Sequence, residues 1–84
     1  MKKIRVLVNG AKGLMGQEVV KAVTAAADLE LVDQTDLGDD LIARINASQA
    51  QAVVDFTTAA AAFENARKIL EARVHPVVGT SGLL

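Results

Sequence analysis

Ile4-Arg5-Val6-Leu7-Val8-Asn9-Gly10-Ala11-Lys12-Gly13-Leu14-Met15-Gly16 is the stretch that decides the fold. Its first five residues are apolar or β-branched with one exception, Arg5, and Asn9-Gly10 stops them. A short run of that kind is a strand buried on both faces. The glycines at 10, 13 and 16 then form a G-x-x-G-x-x-G loop, and a helix follows from about Gly13 to Ala27. Met15, Val19, Val23 and Ala26 recur at spacings of three and four and make its apolar stripe, while Gln17, Glu18, Lys21 and Thr24 fill the other side. A glycine loop between a strand and a helix suits a phosphate. No Cβ obstructs the backbone's approach, and the helix amino terminus offers free N–H groups and the positive end of a dipole. In this setting the loop points to nucleotide or dinucleotide binding.

Outward from the loop the alternation continues. Leu29 to Asp33 reads as a second strand. Asp39 or Asp40 caps a short helix through Asn46, with Leu41, Ile42 and Ile45 turned inward. Ala52 to Phe56 is a third strand. Thr57 or Thr58 caps a helix to about Arg73, with Ala62, Phe63, Ala66, Ile69 and Leu70 as its buried stripe. His75-Pro76 breaks that helix, because the residue before proline avoids the helical region. Val77-Val78 begins a fourth strand that stops at Gly79. Strands alternating with helices imply parallel pairing and right-handed crossovers. The expected fold is α/β, a Rossmann-like doubly wound parallel sheet of about four strands. Strand one sits in the middle, strand two on one side, strands three and four on the other. Ligands in such sheets bind beyond the carboxyl ends of the strands at the switch point, here between strands one and three.

Composition narrows the function. The chain has 84 residues, a formal net charge of −1, one histidine, and no cysteine, tryptophan or tyrosine. That length suits one small domain spanning residues 1–84. The balanced charge gives no argument for nucleic acid or an anionic membrane. No apolar run approaches the ~20 residues of a membrane span, and Asn9, Lys12 and Gln17 interrupt any secretory core after Lys2-Lys3. Without cysteine there is neither a disulfide framework nor thiolate chemistry, which fits a cytoplasmic protein. A lone histidine makes a metal cluster an unpromising reading; His75 reads as a surface residue at the amino-terminal edge of the sheet.

Four segments reach the crevice. The glycine loop comes first, with Lys12 either drawing phosphates or simply solvated. Asp36 lies twenty residues after Gly16, just past strand two. An acid there accepts hydrogen bonds from an adenosine ribose; Asp33 is the rival, depending on where the strand ends. Val53-Val54-Asp55-Phe56-Thr57-Thr58 follows. Asp55 is costly in an apolar strand unless it finds donors. Phe56 and Thr57 either flank a cofactor or act as a core ring and a helix cap. The last segment is Val78-Gly79-Thr80-Ser81-Gly82, a ligand loop or a plain one. Asp36 repels a 2′-phosphate, and neither Leu37 nor Leu14 supplies a cation to it. A dinucleotide without a 2′-phosphate is therefore expected to bind at least as well as one that carries it, unless Lys12 or Arg44 reaches across.

Val8 to Gly16, Val54-Asp55-Phe56-Thr57 and Pro76-Val77-Val78-Gly79-Thr80-Ser81-Gly82, in this order, resemble the amino-terminal part of the dihydrodipicolinate reductase family. The resemblance covers nearly the whole chain except Leu37 to Gln51, which is shorter than the family's link and lacks a strand found there. It implies a reductase that passes hydride from NADH or NADPH to a cyclic imine dicarboxylate on the way to lysine and diaminopimelate. By position, Gly10, Ala11, Lys12, Gly13, Leu14 and Met15 would hold the pyrophosphate and Asp36 the adenosine ribose. Phe56 and Thr57 would line the groove, and Gly79, Thr80 and Ser81 would meet the nicotinamide side. Family members often carry a basic residue at the position of Leu14, and some at that of Leu37. The family's catalytic histidine and lysine belong to a later segment that is rich in His and carries Lys-x-Asp-Ala-Pro-Ser-Gly-Thr, so no catalytic residue is assigned here. The resemblance therefore implies a cofactor-binding fragment, inactive alone, without the substrate domain that usually builds a homotetramer.

Two other readings start from the same loop. Extended short-chain dehydrogenases and epimerases also begin with G-x-x-G-x-x-G, but they need a Tyr-x-x-x-Lys pair, and this sequence has no tyrosine. A non-catalytic nucleotide-sensing module would need neither.

Overall fold

Seven elements alternate along residues 3–79, the part of the chain that the computed structural model describes. They are β1 (Ile4–Asn9), α1 (Leu14–Ala25), β2 (Leu29–Thr35), α2 (Leu41–Ser48), β3 (Ala52–Asp55), α3 (Ala59–Glu71) and β4 (His75–Val78). Every strand pair is parallel, and the order is β2-β1-β3-β4, as the sequence pattern predicts.

The central strand alternates its side chains between two cores. Val6 and Val8 point to one face, where Ala11 and Val23 bury them with help from Val19, Val20, Leu29, Leu31 and Val54. Leu7 points to the other, packed with Leu41 and Ile45 of α2, Val53 of β3 and Ile69 of α3. So α1 covers one face of the sheet, and α2 and α3 cover the other. Parallel strands of this kind have no solvated face, which is why β1 is a nearly continuous apolar run.

The strand ends differ from the pattern in ways that matter for the site. β2 runs on to Thr35 rather than stopping at Asp33, and its register against β1 slips between Val6 and Leu7. Leu31 pairs with Val6 and Asp33 with Leu7, so Val32 is the extra residue of a bulge. The slip turns Asp33 toward the α2 side and leaves Asp36 as the first residue beyond the strand. β3 ends at Asp55, although the Phe56 amide still donates to the Asn9 carbonyl at 2.9 Å. α2 is capped by Asp40 rather than Asp39, and α3 by Thr58 rather than Thr57.

Helix ends and faces supply further corrections. α1 begins at Leu14 and ends at Ala25, one residue inside its expected start and two inside its end. α2 runs two residues past Asn46, to Ser48. α3 ends at Glu71, and His75 lies in β4 rather than ahead of it. The stop is set by Arg73 in the left-handed region at φ 61°, with the Val74 amide donating back to the Ile69 carbonyl at 3.1 Å. That is a Schellman closure, made here without glycine. Met15 is 60% exposed, and Phe63 and Leu70 are 78% and 61% exposed. Each lies one position, about 100° of helix rotation, from the stripe that meets the sheet. In α1 that stripe runs through Gly16, Val19, Val20 and Val23; in α3 it runs through Ala62 and Ile69. The larger apolar residues of α3 instead line a shallow surface groove of about 490 Å³ with Ala66, Arg67 and Glu71, away from the strand ends.

Candidate functional site: the glycine loop and the carboxyl ends of β1, β2 and β3

The loop after β1 is held by β2. Gly10 and Ala11 both donate to the Thr35 carbonyl, at 2.9 and 3.1 Å. Gly10 adopts φ +85°, which L side chains rarely take, and a Cβ there would stand 2.7 Å from the Phe56 carbonyl carbon. A Cβ on Gly16 would collide with the Gly10 carbonyl and the Ala11 Cα, all backbone atoms. These two glycines are therefore steric requirements: one lets the loop lie against the end of β3, the other lets α1 lie against the loop. Gly13 differs, because its Cβ would have only an ordinary 3.6 Å contact.

Gly13 is the N-cap of α1, and no side chain caps that helix; nor does its first turn contain an acid. The side chains of Asp40 and Thr58, by contrast, accept from the amides of Ala43 and Ala61 in α2 and α3. A helix leaves its first amides without intrahelical acceptors. At α1 they face the switch point with the positive dipole end and no protein anion of the helix's own. Leu14 and Met15 are exposed beside them.

Asp36 closes the other side of the loop. Its Oδ2 accepts from the Lys12 amide and its Oδ1 from the Leu37 amide, both at 2.8 Å. The Leu37 amide first, and the Lys12 amide after it, hold this carboxyl below the usual carboxylate range. Asp36 is thus an ionised acceptor fixed between the glycine loop and the end of β2, with lone pairs left for hydroxyl donors. Asp33 is not so placed. Both its oxygens are taken by Arg44, and this bond is the leading cause of its lowered pKa.

Beneath the loops runs a buried polar chain that sequence reading saw only in part. Thr35 Oγ1 donates to Asn9 Oδ1 at 2.7 Å, and Asn9 Nδ2 donates to Asp55 Oδ1 at 3.3 Å. The Thr57 amide and hydroxyl donate to the same Asp55 oxygen, at 3.0 and 2.7 Å. Asn65 Nδ2 donates to Thr57 Oγ1 at 3.1 Å. One row of side chains thereby ties β2, β1, β3 and α3 at the carboxyl edge. Asp55 finds the donors that its place in an apolar strand demands, although its Oδ2 is buried without a protein partner. The sequence places Asn9 at the crevice end of its strand but does not mark it as the partner of Asp55, and nothing in the pattern marks Thr35 or Asn65.

The predicted residues therefore gather at one edge. Gly10 abuts the backbone of Phe56 and Thr57, Lys12 meets Asp36, and Gly79 lies so close to the Phe56 ring that a Cβ would strike it. Thr80 and Ser81 lie outside the described residues. No group of three or more His, Asp or Glu side chains among the described residues is arranged to hold a metal ion.

A parallel α/β sheet with an uncapped glycine-loop helix at its switch point and an ionised acid just past β2 defines a Rossmann-like nucleotide-binding domain. Within that class, residues 4–84 match the family described as dihydrodipicolinate reductase, N-terminus, and the chain belongs to it. It is 45% identical over 80 residues to the 4-hydroxy-tetrahydrodipicolinate reductase of Coxiella burnetii, covering 95% of this chain and 34% of that protein. It is 49% identical over 82 residues to the protein of the same name from Streptomyces griseus, covering 98% and 32%. Among solved structures, the dipicolinate-bound dihydrodipicolinate reductase from Paenisporosarcina sp. TG-14 superposes with a TM-score of 0.84 at 28% identity, covering 98% of this chain and 39% of that one. The chain thus spans about a third of the length of the Coxiella and Streptomyces relatives. Membership selects the reductase family over the short-chain dehydrogenase lineage.

Proposed function

We propose that this chain is the NAD(P)H-holding part of a 4-hydroxy-tetrahydrodipicolinate reductase, which reduces a cyclic imine dicarboxylate in lysine and diaminopimelate synthesis. The observation that carries the reading is the cradle at the head of α1. Gly10 and Gly16 admit no Cβ, the amides of Gly10 to Gly13 are turned to protein oxygens, and the helix has no capping side chain, so the amides of Leu14, Met15 and Gly16 are what the cradle presents. A pyrophosphate fits that donor set. Gly10, Ala11, Lys12, Gly13, Leu14 and Met15 would hold it, Asp36 would accept from the adenosine ribose, and Phe56, Thr57 and Gly79 would line the groove. Thr80 and Ser81 would extend it toward the nicotinamide. The bound dinucleotide supplies the hydride. The polar chain from Thr35 to Asn65 fixes the backbone that orients it, and the Phe56 ring shields one flank. A cytoplasmic location goes with the same reading.

NADH is the preferred dinucleotide on this account. Asp36 is ionised where a 2′-phosphate would sit near it, and Leu37 beside it is exposed and uncharged. The test is a titration of NADH fluorescence with the 84-residue chain, which has no tryptophan or tyrosine of its own to interfere. Saturable binding, weakened at least tenfold by Asp36→Ala, supports the reading. Binding indifferent to Asp36→Ala removes Asp36 as the ribose ligand, and absence of binding removes the reading itself.

A further inference from the structure

Arg44 is the best-held cation in the described structure, and it stands beside the ribose acid. Its Nε and Nη2 donate to the two oxygens of Asp33, each at 2.7 Å. Nη2 also reaches the Gln34 carbonyl at 3.3 Å, and Nη1 lies 3.7 Å from Asp39 Oδ1. The other oxygen of Asp39 accepts from the Asp36 amide at 2.8 Å. One carboxylate therefore spans the gap between this guanidinium and the backbone of Asp36. All three guanidinium nitrogens face protein oxygens.

α2 is capped by Asp40, so Asp33 and Asp39 are not serving that helix's amides. The Arg44 side chain is 40% exposed, which leaves it room to turn. A bidentate guanidinium–carboxylate pair and a bidentate guanidinium–phosphate pair use the same planar fork, so the two compete for one set of donors. The bulge at Val32 is what brings Asp33 to the α2 side in reach of Arg44.

We propose that Asp33 is a specificity-determining residue: by holding Arg44 it withholds that guanidinium from a 2′-phosphate, and so turns the site against NADPH. The inference rests on the dinucleotide reading above and adds a residue to it. Asp36 and Asp39 supply repulsion; Asp33 removes the cation that would offset it. Discrimination of this kind combines a repelling charge with a denied attraction.

The experiment titrates NADH and NADPH, at one ionic strength, against the wild-type chain, Asp33→Asn, Arg44→Ala and the double variant. Asp33→Asn is expected to raise the NADPH:NADH affinity ratio by roughly tenfold or more, the scale of a charge-assisted hydrogen bond. The gain should vanish in Asp33→Asn/Arg44→Ala. Arg44→Ala alone should not raise the ratio, since the guanidinium is already taken in the wild type and its loss leaves Asp33 and Asp39 unneutralised. Asp39→Asn, on the exposed side of the clamp, should give a smaller gain of the same sign and serves if Asp33→Asn does not fold. An unchanged ratio in both Asp33→Asn and Asp39→Asn, a gain that survives loss of Arg44, or a ratio raised by Arg44→Ala alone overturns the proposal while leaving the site intact. Failure of the wild type to bind either dinucleotide overturns the site reading and this proposal with it.

Discussion

Gly13→Asp separates folding from binding, because the two should move in opposite directions. Gly13 sits at the N-cap of α1 with φ −73° and ψ 167°, a conformation open to any residue, and its Cβ would meet nothing closer than 3.6 Å. An aspartate there would accept from the amide of Met15 or Gly16, as N-cap acids do. Replacing a glycine cap adds a few tenths of a kcal/mol, and a negative charge at the dipole's positive end adds about 0.3–1 kcal/mol. Together these give about 0.5–1.5 kcal/mol of added stability, or roughly 2–12 °C in Tm for a domain of this size. The same carboxylate occupies the donors meant for a pyrophosphate and repels it. Losing one charge-assisted hydrogen bond alone costs about 1.5–3 kcal/mol, roughly ten- to a hundredfold in affinity. Thermal unfolding and NADH titration on one preparation read both effects. A variant that is stabilised yet binds NADH as well as wild type would refute the placement of the anion at α1.

Three further expectations follow from the packing and the charges. Gly16→Ala gains about 1 kcal/mol in helix propensity, but its Cβ collides with backbone atoms that have no rotamer to yield, which puts the overpacking cost at the upper end of about 1–3 kcal/mol. The net should be a loss of about 2 kcal/mol in urea unfolding, and a variant as stable as wild type would contradict the close approach of α1 to its loop. Asp33 and Asp36 have folded pKa values below their unfolded ones, so they stabilise the fold above the ordinary carboxylate range near ~3.9. That stability is lost as pH falls through the depressed folded values. Asp33→Asn should therefore be less stable than wild type at neutral pH, with the gap closing only at strongly acid pH in an acid-unfolding series. Ile69→Ala should cost about 2–5 kcal/mol because Ile69 is fully buried. Phe63→Lys, one turn and a half away on the exposed flank, should stay within about 0.5 kcal/mol; equal losses would mean the two faces of α3 are exchanged.

The sheet order was legible because parallel strands buried on both faces leave short apolar runs, and the glycine loop fixes which strand comes first. The carboxyl-edge residues followed from that order, since every β-to-α junction falls on one edge. Helix faces were less legible. Phe63 and Leu70 make as good a periodic stripe as Ala62 and Ile69, and only the position of α3 over β3 and β4 chooses between them. The choice between Asp33 and Asp36 hung on the end of β2, and a bulge at Val32 has no signature in single-sequence alternation. The burial cost of Asp55 announced that donors must exist but not which; Asn9 is 46 residues away in the chain. The end of α3 was placed late because a left-handed Arg73 does the work that glycine usually does.

The central claim is that the head of α1 and the end of β2 together form one dinucleotide site. Amide chemical-shift perturbation of the isotope-labelled chain on adding NADH tests it most directly, residue by residue. The account predicts saturable shifts at Gly10, Ala11, Lys12, Gly13, Leu14 and Met15, joined by Asp36 and Leu37, with α3 quiet from Phe63 to Glu71. Shifts confined to the groove of Phe63 and Leu70, or none at the glycine loop at saturating NADH, would contradict it.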